Sequence, residues 1–218
     1  MRTSRSSLPR TVVTLFAALA CALTLSAQHR SAARKAAAPV RLRPGTYAVF
    51  LTSKGSFTAQ LYPKQAPKAV ANFVALAEGK QPYKNPLTGM LSSAPFYRNL
   101  LFFRTIPGYM IQTGDLLNDG TGTTGYQLPL EKNNLTFQQA GRMALAQIPG
   151  ETTSRGAEIF FTLEPVPQLD KEGFLIIGQI VAGMDVAKAL STGPRKAGYK
   201  DRPQYPPILH NVRIEVKN

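Results

Sequence analysis

Only two stretches of this 218-residue chain carry the 3.6-residue period of an amphipathic helix; its other apolar residues fall into short runs punctuated by glycine and proline. From Pro67, the residues Val70, Phe73, Val74 and Ala77 lie on one helical stripe, with Pro67 in the first turn and Gly79 as the stop. The second helix is shorter, opening at Gly183-Met184-Asp185 and running through Leu190, and Asp185 in its first turn suits the helix dipole. Strand character appears in Tyr47–Thr52 and Phe57–Tyr62, which flank Ser53-Lys54-Gly55-Ser56 as a hairpin. It returns in Phe96-Tyr97, Leu100–Ile106, Gly141–Gln147, Ile159–Leu163, Phe174–Val181 and Ile208–Val216. Many short strands with two helices point to a mainly β fold, a closed barrel. Residues 80–95, with Pro82, Pro86, Gly89 and Pro95 among polar neighbours, read as a loop.

The N-terminus has a different composition. Arg2, Arg5 and Arg10 precede the uncharged run Thr11–Ala27, which ends in small residues, so residues 1–27 are expected to be a signal peptide cut near Ala27. The protein would then be exported, periplasmic or secreted. If the leader stayed, it would be the one membrane anchor, although the run is marginal for spanning. Cys21, the single cysteine, lies inside it, and Ala18-Leu19-Ala20 makes a poor lipoprotein signal. The mature chain would therefore have no disulfide or thiol chemistry. Residues 28–44, rich in Ala, Arg and Pro, read as a flexible spacer ahead of one domain at 45–218. Loss of the leader lowers the formal charge from +14 to +11. That basicity suits solubility, anionic envelope surfaces or acidic clients, and the sequence shows no cluster of Lys and Arg interleaved with aromatics, so no nucleic acid is expected.

Chemistry concentrates in Leu101–Asp115. Alternation places Phe102, Arg104 and Ile106 on one strand face; after the Pro107-Gly108 turn, Met110 and Gln112 share a face, with Tyr109 at the corner. One cation, one amide and large soft side chains thus converge near a bend. Other chemistries find little material. His29 lies near the leader and His210 near the C-terminus, so no histidine triad or multi-histidine metal site can be assembled. Gly120-Thr121-Gly122-Thr123-Thr124-Gly125 spells a dinucleotide fingerprint, but Pro129 follows closely and no amphipathic helix begins, so a flexible glycine loop is expected there.

The stretch from Phe102 to Asp115 resembles the cyclophilin signature, close to F-H-R-x-I-P-G-F-M-x-Q-G-G-D, with Phe103 in place of the usual His and Tyr109 as the aromatic. Further on, Gly141–Gln147 is similar to the family's G-x-L-x-M-A-N, and Gly156–Thr162 to its G-S-Q-F-F-I-T. Gln168-Leu169-Asp170, Phe174–Gly178 and Gly183–Val186 resemble W-L-D, H-V-V-F-G and G-M-x-V, so the likeness spans about Thr46 to Val216. It implies an eight-stranded antiparallel β-barrel capped by two helices, a monomer without cofactor or metal, and peptidyl-prolyl isomerase activity on proline-containing polypeptides. By position it implies that Arg104 is catalytic and that Met110, Phe160 and Leu169 line a proline pocket with Tyr109 and Phe174. Gln112, Ala146, Gln147 and Glu158 would border the groove for the substrate backbone.

Four positions depart from the pattern: Gln147 for Asn, Glu158 for Gln, Gln168 for Trp or Phe, and Phe174 for His; the loop between Gln147 and Gly156 is also longer. Residues 80–95 exceed the family's usual link between helix and signature strand, which implies a loop insertion there. Glu158 opens three readings: a carboxylate that orients Arg104, one that holds Arg104 away from substrate, or one that faces solvent. The departures also keep open a second class of function, a catalytically weak peptide-binding or chaperone-like module on the same fold.

Overall fold

The computed structural model describes residues 42–147 and 150–218. The leader, Cys21, His29 and nearly all of the spacer lie outside the described residues. Strands β1 (Gly45–Thr52) and β2 (Gly55–Leu61) form the expected hairpin, followed by α1 (Pro67–Glu78). Next come β3 (Tyr83–Lys84), β4 (Leu91–Ser92), β5 (Leu100–Leu101), β6 (Arg104–Ile106), β7 (Met110–Thr113), β8 (Leu128–Pro129), β9 (Arg142–Gln147) and β10 (Thr153–Thr162). A 3-10 turn (Pro167–Lys171), β11 (Ile176–Ala182), α2 (Met184–Leu190) and β12 (Ile208–Lys217) complete the order.

Helix α1 buries Val70, Phe73, Leu76 and Ala77 and ends where Gly79 takes φ +73. A side chain there would be strained, and its Cβ would lie 2.7 Å from the Ser93 carbonyl oxygen. The N-terminus of α1 has no side-chain cap of its own. Glu131, far along the chain, supplies one: its carboxylate accepts from the Lys68 and Ala69 amides at 3.1 and 2.9 Å. A carboxylate on open amides at a positive helix end is stabilising. Glu131→Ala should therefore lower unfolding free energy by about 1 kcal/mol, read as a shift in urea midpoint; an unchanged midpoint would remove this role.

The main sheet has ten strands in the order β5-β12-β1-β2-β11-β9-β10-β7-β6, with β8 pairing β10 off that path. Its pairs are antiparallel. The mainly β, antiparallel fold with two helices is as expected; its sheet has ten strands and curls into a half-barrel where eight strands in a closed barrel were expected. Among the described residues no ladder joins its two ends. Instead β5 and β6 are consecutive in the chain, linked by the buried pair Phe102 and Phe103. That link also breaks the alternation: Phe102 enters the main core while Ile106 packs on the opposite side, so the two do not share a face with Arg104 between them. Residues 80–95 are not a plain loop either, because Tyr83–Lys84 and Leu91–Ser92 pair as a small ribbon.

Strands β7, β9, β10 and β11 are apolar on both faces, and each face has its own partner. Ile111, Met143, Leu145, Phe161 and Ile177 point into the main core. There Phe50 and Phe57 stack at 4.7 Å, and Phe161 meets them edge-on at 5.0 and 5.1 Å. Such pairs add about 0.5–1.5 kcal/mol each beyond the area they bury. Their neighbours in sequence, Met110, Ala144, Phe160 and Ile176, point the other way and join Phe137, Val166 and Leu169 in a second cluster. The functional residues stand on this outer cluster.

Candidate active site

Strand register builds the site. Arg104 lies opposite Gln112, Gln112 opposite Phe160, and Phe160 opposite Ala144, one row across four neighbouring strands. Residues two positions along a strand share its face, so Met110 joins Gln112, and Ala146 joins Ala144. The turn at Pro107-Gly108 closes with the Tyr109 amide donating to the Ile106 carbonyl at 3.0 Å, which brings Tyr109 to the rim. The 3-10 turn contributes Leu169, and the segment after it contributes Phe174.

These residues enclose a depression of about 260 Å³, lined by Arg104, Tyr109, Met110, Gln112, Ala146, Gln147, Phe160, Leu169, Glu172 and Phe174. The floor is Phe160, 4% exposed, with Phe174 edge-on to it at 5.1 Å and Phe137 stacked behind at 6.0 Å. An apolar, rigid cup thus stands beside one half-exposed guanidinium. Glu172, on the rim, was not anticipated from the sequence, and Gln168 is exposed and does not line the depression.

Glu158 is the one expected groove residue that lies elsewhere. It is 2% exposed and sits behind Gln112, accepting from the Gln112 Nε2 at 2.9 Å and pairing with Arg155 at 3.3 Å. All three sequence readings of Glu158 are corrected, since it neither touches Arg104 nor faces solvent. Burial pushes its carboxyl up to about 7, opposed by the Arg155 charge and aided by the nearby Asp115 carboxylate. The carboxylate on Arg104 is Asp201, whose Oδ2 accepts from the arginine Nε at 2.8 Å. Arg104 Nη1 makes a longer contact, 3.5 Å, to Gln112 Oε1. The order Arg155–Glu158–Gln112–Arg104–Asp201 is therefore one connected polar chain.

Asp201 was invisible in the sequence because it lies 97 positions from its partner, in a Pro/Gly-rich segment without period. Backbone and side chains pin that segment: the Thr105 amide donates to the Asp201 carbonyl at 2.8 Å, and Arg195 donates to Thr105 Oγ1 at 2.6 Å. Beside it, Lys196 and Arg202 sit over the Tyr199 ring at 5.5 and 5.2 Å, a basic–aromatic cluster that the sequence reading had not separated out.

The glycine-rich segment has a local task. Asp115, 1% exposed, accepts from the amides of Leu117, Asp119 and Gly120 at 2.8, 3.0 and 2.7 Å. A Cβ on Gly122 would fall 1.6 Å from Asp115 Oδ1, so only glycine lets the loop close over that carboxylate. The short strand β8 follows it, not a helix, and the dinucleotide spelling has no structural counterpart.

The profile of the family described as cyclophilin type peptidyl-prolyl cis-trans isomerase/CLD matches residues 47–214. The chain belongs to the cyclophilins. Peptidyl-prolyl isomerase B of Streptomyces anulatus is 35% identical to this cyclophilin over 175 residues, covering 78% of the chain and 97% of the relative. Peptidyl-prolyl isomerase A of Mycobacterium tuberculosis is 31% identical over 165 residues, covering 75% and 88%. In fold, the cyclophilin resembles a cyclophilin type isomerase of Cryptosporidium parvum whose crystal structure was determined in the presence of the dipeptide Ala-Pro. The TM-score is 0.65 at 24% identity, covering 78% of this chain and 99% of that one. Peptidyl-prolyl cis-trans isomerisation is thus the reaction of this cyclophilin.

Proposed function

We propose that the protein accelerates X–Pro rotation in exported polypeptides, with Arg104 stabilising the twisted amide and the Phe160 cup holding the proline ring. The amide resists rotation by roughly 18–20 kcal/mol because resonance must be broken. Rotation itself is the reaction, so no nucleophile or general base is needed. What helps is a donor aimed at the nitrogen as its lone pair returns, or at the adjoining carbonyl, in a site that excludes water. Arg104 offers a guanidinium whose Nε is tied to Asp201 and whose Nη1 makes only a long contact to Gln112, at the lining of the depression. Met110, Phe160, Leu169 and Phe174 form the clamp that keeps the ring still while the preceding carbonyl turns. Tyr109 completes the pocket wall, and Gln112, Ala146 and Gln147 border it and meet the substrate backbone.

The observation that carries this reading is one charged fork beside one aromatic-floored cup, joined through Gln112. The test is the cis-to-trans rate of an X–Pro tetrapeptide with the purified protein. Acceleration above the uncatalysed rate, abolished by crowding Phe160→Trp into the cup, supports the assignment of the site. Peptide binding without acceleration would instead favour the binding-module reading.

The basic start and uncharged apolar run of residues 1–27 support the export reading, and the protein would act as a monomer on proline-containing clients. Mass spectrometry of the protein from its native host should find an N-terminus between Ala22 and Ala36. An intact Met1 in soluble cytoplasmic protein would overturn the export assignment.

A further inference from the structure

A second and larger depression, about 470 Å³, adjoins the first. The two share Gln147, Leu169 and Phe174 as a dividing ridge, so one face of that ridge serves each side. Beyond it, Leu130, Leu135 and Leu175 supply an apolar lining backed by Phe137, which is 1% exposed.

Its more deeply set polar side chains are already engaged, while Lys132, Asn134 and Thr152 stand exposed at its edge. Both Glu131 oxygens cap helix α1; Asp170 accepts from the Phe137 amide at 2.7 Å and from Gln138 at 3.3 Å. The Asn133 amide nitrogen donates to the Ile176 carbonyl at 2.9 Å, and its oxygen accepts from the Leu135 amide at 3.2 Å. A phosphate or a cofactor head group would find Lys132 as the lone cation on this lining. The space therefore suits an apolar side chain, and a groove continuous with the proline cup is reached most directly by the polypeptide already seated in that cup.

We infer that this depression is a side-chain subsite for the client polypeptide, taking a leucine- or phenylalanine-sized residue near the proline, on one side of it. The inference rests on the proposed use of the first depression for proline. An extended chain advances about 3.3 Å per residue with alternate side chains on one face, so only one or two registers can drop a side chain past the ridge. Preference is set by position. Because the contact is the same before and during rotation, it should lower KM and leave kcat nearly unchanged.

The experiment moves a single phenylalanine through an alanine-rich peptide with one Ala-Pro bond, from three residues before the proline to three after it. Rates and Kd, the latter by fluorescence anisotropy, are measured for each peptide. One register, or two of the same parity, should bind and react about tenfold better than the all-alanine host, the gain lying in KM. Thr152→Trp, placed at an exposed lining position outside the proline cup, should remove that gain; its unfolding midpoint reports whether the fold stands. Asn134→Trp, on another part of the lining, gives a second blocking variant should the first fail to fold. A flat scan, an equal gain at every register, or a gain that survives both blocked variants would overturn the subsite. The Kd scan reads the subsite even without turnover, while failure of the host peptide to react bears on the proposed mechanism alone.

Discussion

Arg104→Ala lowers kcat/KM on an X–Pro peptide by about 10²–10³, the size expected when one preorganised electrostatic donor is removed. The residue is half-exposed at the edge of the sheet, so the loss should come with little change in unfolding midpoint. Arg104→Lys should recover little, because a point ammonium cannot bond Asp201 through one nitrogen and present a planar fork to the amide through the others. Asp201→Asn gives a smaller and more telling change. The salt bridge is part-exposed on both partners, so its contribution to stability is slight. Its task is to fix the rotamer of Arg104, and its loss should lower kcat more than it raises KM. A fully active, folded Arg104→Ala protein would end the arginine mechanism. An unchanged kcat in Asp201→Asn would mean that Gln112 alone suffices to aim the guanidinium.

The second large effect is a pH dependence of stability located at Glu158. Burial raises this carboxyl from 4.5 to about 7 in the folded protein. Between those values the native state holds a proton that the unfolded chain has released, so stability falls as pH rises from about 4.5 to about 7. The shift corresponds to about 3 kcal/mol lost across that window, several degrees in Tm for a domain of this size. Glu158→Gln cannot ionise, and its Tm should lose that part of the slope and exceed the parent's at pH 8. The amide can still accept from Gln112, so kcat/KM should change far less than in Arg104→Ala. Parallel Tm–pH curves for the two proteins would show that Glu158 does not titrate in this window. A several-fold rise in activity would mean that Glu158 restrains Arg104 after all, against the geometry in which Gln112 stands between them.

The local determinants of the fold were legible in the sequence because they act over a few residues. The stripe ending at Gly79 marks helix α1, and the run at Gly183-Met184-Asp185 marks α2. The family resemblance named nine of the ten residues that line the proline depression; four of them, Arg104, Tyr109, Met110 and Gln112, lie in the signature itself, where two short strands and a single turn bring them together. Short-range pattern could not reveal the two-residue strands β3, β4 and β8, which carry no measurable period. Nor could it separate the two faces of β10, where Phe160 and Phe161 look alike as letters and serve different clusters. Tertiary structure alone decided which carboxylate meets the arginine. The resemblance placed Glu158 at the border of the substrate groove, but the chain seats it behind Gln112 and against Arg155. It is Asp201, 97 positions away, that the loop before β12 delivers to Arg104, through a backbone bond to Thr105 that no sequence spacing encodes. Sequence specifies the face on which a side chain stands, whereas the partner it finds there depends on how distant segments pack.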